Sequence, residues 1–122
     1  MEQKIFSFEK LVVWEESRAL NKIVYALSST FPEEEKYGLI NQLRRASISV
    51  SLNIAEGASR PSGKDQAKSY KDAYGSLMEV MAGFICAVDL EFINQEIIDN
   101  EIRPIISKIG YKLNSLRNKA LE

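Results

Sequence analysis

The sequence contains no histidine, a single cysteine, three prolines and no apolar run that approaches a membrane span. Each absence removes a class of function. Without histidine there is no imidazole acid/base chemistry, no catalytic triad and no Glu-x-x-His di-iron motif, and most zinc sites are lost. One cysteine, Cys86, cannot build an internal disulfide framework, and it fits a reducing, cytoplasmic compartment. It has no histidine partner and no cation within sequence reach, so it reads as a small buried apolar residue and not as a nucleophile. No basic n-region precedes an apolar h-region, so no signal peptide is expected.

What is present suits one folded domain. The 122 residues are 45% apolar, enough for a core and too apolar for disorder. Net charge is −1, so the chain as a whole is not a basic nucleic-acid binder. The charge is nevertheless segregated into blocks: net −3 over residues 1–35, +5 over 36–71, −7 over 72–102 and +5 over 103–121. Two readings fit such blocks. They are solvated helix faces that balance on folding, or they mark helices that pair side by side in a molecule with one positive and one negative end.

The apolar spacing predicts four helices, over roughly 8–29, 33–57, 63–90 and 95–120, within a single domain spanning 1–122. No alternating strand pattern or Asn-Gly or Asp-Gly hairpin signal interrupts them. In the first helix Val13, Leu20, Val24 and Leu27 fall on one face. Pro32 opens the second, Glu33 to Glu35 suit the positive end of its dipole, and Gly57 and Pro61 end it. Ser62 with Asp65 forms a capping box for the third. Pro104 lies inside the stripe Ile98, Ile102, Ile105, Ile109, Leu113, Leu116 and should kink the fourth helix or begin a new one. Short connections predict an all-α, antiparallel up-and-down four-helix bundle.

The second helix carries more than one apolar stripe. Leu39, Leu43, Ala46 and Val50 share one face, while Ile48 and Leu52 lie nearly opposite. A monomeric bundle needs only the first stripe, so the second implies cover by another subunit; singly exposed apolar side chains are the plainer reading. Between the stripes runs a polar seam of Gln42, Arg45, Ser49, Asn53 and Glu56, spaced by three and four residues. On the third helix Tyr70, Leu77, Met81, Phe84 and Val88 form the core face. Gly75, Ala82, Gly83 and Cys86 gather toward the other side, and the two glycines there suggest close approach of a neighbouring helix. Together with Ile48 and Leu52, Gly75, Ala82 and Gly83 are the candidate oligomer contacts. Glu79 sits on the small-residue side and is expected to pair with Arg45 or Arg44 across helices or subunits. Arg60, Lys64, Lys68 and Lys71 form a basic stripe beside Tyr70 and Tyr74. It fits phosphate binding, and equally the ordinary solvated start of a helix. Glu56, Asp72 and Glu79 match no known metal-ligand spacing, so no catalytic, cofactor or metal site is expected.

These same residues resemble a known family. The run Gln42-Leu43-Arg44-Arg45-Ala46, then Ser49, then Asn53-Ile54-Ala55-Glu56-Gly57, is similar to the signature of the bacterial four-helix-bundle proteins encoded in intervening sequences of 23S ribosomal RNA genes. Gly75-Ser76-Leu77 with Glu79 resembles the second motif of that family. Trp14, Phe31-Pro32 and Glu35-Lys36-Tyr37-Gly38-Leu39 match as well. The resemblance covers roughly residues 8–90. It implies a bundle that assembles as a homopentamer, with Arg45, Ser49, Asn53, Glu56, Ser76 and Glu79 as architectural residues. It also implies kinship to the accessory variability determinant of diversity-generating retroelements, which is pentameric and binds a reverse transcriptase and nucleic acid through a basic surface. The family itself has no established activity. The expectation is a cytoplasmic, non-enzymatic, homo-oligomeric scaffold or adaptor with no cofactor and no membrane association. The alternative is an RNA- or DNA-binding protein, or a partner of a nucleic-acid-processing protein, that repeats the stripe of Arg60, Lys64, Lys68 and Lys71 around the assembly.

Overall fold

The computed structural model describes residues 3–122, and among them the chain is helical, with no β-strand. A 3₁₀ turn, Ser7–Lys10, leads into α1, Val12–Ser28. Then come α2, Leu39–Ser59, and α3, Gly63–Asp89. A short α4, Gln95–Ile97, continues through a π-helical turn, Ile98–Ile102, into α5, Arg103–Ala120. The four long helices pack around one core, each against two neighbours in the cycle α1, α2, α3, α5. Contacts along their lengths fix the antiparallel order. Gly83 lies on Leu43, Gly57 lies on Tyr70, and Gly63 abuts Ala120.

Val13, Leu20 and Val24 of α1 are buried as their spacing predicts, and Leu27 packs at the edge of the core. On α3, Tyr70, Leu77 and Phe84 are buried, with Val80, Ala73 and Ala87 beside them. Each large side chain removed from water in this way contributes about 1.5–3 kcal/mol. One end is closed by Phe31, whose ring meets Phe84 edge-on at 6.3 Å and Phe92 at 5.7 Å.

The first helix starts at Val12, after a 3₁₀ turn, and not near residue 8, and both ends of the second helix differ from expectation. The second helix begins at Leu39, not near 33. Glu33–Glu35 make only a 3₁₀ turn, and Gly38 adopts a non-helical backbone at φ −106°, ψ −114°. The Glu35 carboxylate then turns back and accepts the Leu39 N–H at 3.1 Å, satisfying one of the unpaired donors at the start of α2. Gly57 does not terminate α2, which runs on to Ser59 and stops where Arg60 turns extended before Pro61. Pro104 begins a new α-helix, as one of its two alternatives had it. It takes the second position of α5, where a missing N–H costs no hydrogen bond, and the π-helical turn before it absorbs the mismatch. The caps elsewhere follow the sequence: Ser62 Oγ accepts the Asp65 N–H at 3.1 Å. The end of α3 is a Schellman turn with Glu91 left-handed at φ 63°, closed by Phe92 N–H donating to Ala87 O at 2.9 Å.

Candidate interaction surfaces

The polar seam of α2 divides when it is placed on the bundle. Ser49 and Asn53 lie at the α2–α3 boundary. Ser49 Oγ meets Ser76 Oγ at 2.9 Å, and Asn53 Nδ2 donates to Ser49 O at 3.0 Å and to Ser49 Oγ at 3.2 Å. The Ser49–Ser76 contact links α2 to α3, while Asn53 bonds within its own helix and positions Ser49. Gln42, Arg45 and Glu56 instead lie exposed. Glu56 is engaged within its own helix end, accepting from Arg60 at 2.6 Å. Arg45 and Glu79 are both exposed, and neither forms an ion pair within the chain, so the expected Arg45–Glu79 contact is not made inside one bundle. Arg44 does not reach Glu79 either. Its Nε donates to Ser28 Oγ at 2.9 Å, Nη2 donates to Tyr25 O at 3.2 Å, and the guanidinium lies over the Tyr25 ring at 4.6 Å. Arg44 thus pairs with the carbonyl end of α1, where a cation is favoured by the helix dipole.

A second polar cluster, absent from the sequence reading, lies on the opposite flank of α2. Asn21 of α1 accepts from Ser47 Oγ at 2.6 Å and donates to Ser51 Oγ at 3.0 Å. Ser51 Oγ continues to Ser17 Oγ at 2.9 Å, and Ser17 Oγ donates to Trp14 O at 2.7 Å. All three serines are buried. A signal for it exists in the sequence. Ser47 and Ser51 fall in the same arc of α2 as Leu43 and Ile54, so both need a partner inside the bundle.

The small residues of α3 also separate. A Cβ on Gly83 would come within 2.5 Å of Leu43 Cδ2, so this glycine permits the close approach of α2. Gly75 meets nothing within 4 Å and lies exposed with Ala82, so neither is a contact within the bundle. Cys86 is exposed, not buried, because it points about 180° from Leu77 on the helical wheel. On α2, Ile48 is half-buried and Leu52 is 62% exposed. With Tyr25, Asn41, Arg44 and Arg45 they line an open hollow of about 450 Å³.

The basic stripe is partly neutralised. Lys68 Nζ lies 3.1 Å from Asp72, and Arg60 holds Glu56. Lys64 and Lys71 are exposed and pair with no carboxylate. Among the described residues no group of His, Cys, Asp and Glu is arranged to hold a metal ion, and no helix is long and apolar enough to cross a membrane.

Comparison with known proteins bears on these placements. The model of the family described as 23S rRNA-intervening sequence protein matches residues 9–115. The chain belongs to that family. No curated protein matches it significantly. The match runs well past residue 90 and takes in most of α5, further than the motifs alone suggest. In this 23S rRNA-intervening sequence protein several of the recognisable motif residues make structural contacts. Glu35 caps α2, Arg44 pairs with the end of α1, Ser49 joins Ser76, Gly57 admits Tyr70, and Phe31 closes the core.

Proposed function

We propose that this family member is a non-enzymatic scaffold that works as a homo-oligomer, a ring of five subunits, with α2 and α3 supplying the contacts between copies. The observation that carries the proposal is the outer face of α2. There Leu52 stands 62% exposed beside Ile48 and the unpaired Arg45. The outer face of α3 is its complement in size and charge: Gly75 and Ala82 offer room, and Glu79 offers an unpaired carboxylate. Seating the apolar ridge of one copy on the small-residue strip of the next buries Ile48 and Leu52 and brings Arg45 to Glu79. Two further facts support a role without chemistry. The chain has no histidine, and Glu56 and Asp72 are each engaged by a cation of the same chain. The lone Cys86 fits a reducing cytoplasm.

Native mass spectrometry and light scattering test this reading. Five copies at micromolar concentration are expected, Leu52→Glu should yield monomers, and the exchange Arg45→Glu with Glu79→Arg should restore an assembly that either change alone weakens. A wild-type monomer refutes it. A second reading, association with RNA or DNA, is favoured by Lys64 and Lys71, whose charges are not spent within the chain. Its sign is binding of RNA that falls steeply with salt.

A further inference from the structure

Between α3 and α5 lies a surface that neither the core nor the α2 face accounts for. Tyr74, Met78 and Met81 face Arg103, Gly110 and Tyr111 across a groove of about 380 Å³. Tyr111 is 77% exposed, a flat aromatic ring left to solvent at the groove wall. Gly110 lets the floor lie close, since a Cβ there would touch the Tyr74 ring at 3.3 Å. Ser107 and Asn114 add side-chain hydrogen-bonding groups to the α5 wall, and no carboxylate lines the groove. Arg103 holds Asp99 through Nε at 3.0 Å, which leaves both terminal nitrogens of its guanidinium without a protein partner. At the other end Lys71, one turn before Tyr74, is exposed and unpaired. Lys64, Lys71, Tyr74 and Met78 stand at i, i+7, i+10 and i+14, so the two unspent lysines continue the same stripe of α3 that walls the groove.

We propose that this groove binds single-stranded nucleic acid, with Tyr111 stacking on a base and Lys71 and Arg103 meeting phosphates toward its two ends. The proposal rests on the second reading above and moves its site from the whole basic stripe to one groove. Lys71 favours the move, because its charge is not spent within the chain, and Arg103, though paired with Asp99 through Nε, keeps both terminal nitrogens open toward the groove. The exposed ring favours an oligonucleotide over an acidic peptide: every nucleotide presents a π-face, and a carboxylate presents none. It favours single strands over a duplex, whose bases are hidden in their own stack. The groove opens on the α5 side of α3, and Lys71 and Met78 border the Gly75 and Ala82 strip that the proposed assembly uses.

Fluorescence anisotropy of the full chain with labelled oligothymidylate and oligouridylate of about ten nucleotides, at ~50 mM salt, tests it. Tyr111→Ala should weaken binding by about tenfold or more, and Tyr111→Phe should keep most of it. Lys71→Glu should weaken binding and flatten its salt dependence. Tyr37→Ala removes another exposed tyrosine, one that does not line the groove, and should change nothing. Circular dichroism checks that each variant is folded, which the exposure of Tyr111 and Lys71 favours. No binding by the wild type, or binding of an acidic peptide alone, overturns this proposal and the second reading together. Binding that survives Tyr111→Ala but falls with Lys68→Gln overturns the groove and leaves the second reading standing. A duplex bound as tightly as a single strand, with no dependence on Tyr111, also overturns the groove.

Discussion

The two flanks of α2 hold their neighbours by different physics. Toward α1 the contact is polar and buried: Asn21 joins Ser47 and Ser51, and Ser51 reaches Ser17. Toward α3 one hydroxyl pair, Ser49 with Ser76, joins contacts that are mainly steric: Gly57 admits the Tyr70 ring and Gly83 admits Leu43. The first flank depends on direction, because each hydroxyl needs its partner at the right angle. The second depends on volume, because atoms at contact distance leave no slack. A hydrogen-bonded flank selects one register of α1. A close-packed flank tolerates no added atom but stays largely indifferent to polarity. The outer face of α2, with Leu52 exposed, has neither device within the chain.

The comparison is most sharply broken on the steric flank. Gly57→Leu drives a side chain into the Tyr70 ring, where even a Cβ would sit 2.7 Å from Cε1. Tyr70 is buried and cannot swing away. A loss of about 3 kcal/mol is expected, at the upper end for overpacked sites. Urea unfolding measures it, and a wild-type midpoint would show that the flank has room. On the polar flank, Asn21→Ala leaves Ser47 without its acceptor and Ser51 without its donor, and should cost about 2 kcal/mol. If Asn21→Ala melts like the wild type, the serines have turned to backbone carbonyls and the network carries no stability.

Much of the fold is readable in the sequence, and the failures have a common cause. The apolar stripes of α1 and α3 and the Ser62 cap follow from periodicity and local chemistry, which lie within one helix. What is missed depends on the neighbour. Gly57 looks like a helix terminator until Tyr70 is known to lie on it. Gly75 and Gly83 look equivalent, yet one faces solvent and the other Leu43. Glu35 looks like the first turn of a helix, but Gly38 breaks the backbone and turns its carboxylate into a cap. The seam of the candidate site fares the same way. Ser49 and Asn53 meet as their spacing suggests, and Ser49 also reaches Ser76, whereas Arg45 and Glu79 stay apart within one chain.

Alkaline pH separates the flanks again. Burial raises the Tyr70 hydroxyl above its ordinary pKa of 10.0. The unfolded chain therefore ionises at this tyrosine first and binds fewer protons than the folded chain. Stability from this group is complete below about pH 10 and is lost as pH rises from there through the folded-state value. Tyr70→Phe should lessen that alkaline decline. Asn21→Ala, on the flank with no ionisable group in its network, should shift the whole curve down without changing its slope. Denaturant titrations between about pH 8 and pH 11 distinguish the two, and parallel curves for wild type and Tyr70→Phe would remove Tyr70 from the account.

The smallest effect belongs to the face that has neither device. Within one chain Arg45 and Glu79 are exposed and unpaired. Arg45→Ala and Glu79→Ala should each change the unfolding free energy of the isolated subunit by no more than about 0.5 kcal/mol. The isolated subunit is taken in the Leu52→Glu background, which removes the proposed contact between copies. If copies join as proposed, the same two changes act on the assembly in the wild-type background, and their cost should then grow with protein concentration, as mass action requires of any contact formed only between folded copies. An effect in the monomer background as large as in the assembled protein would mean that Arg45 and Glu79 serve the bundle itself, and that the outer face of α2 is not what joins the subunits.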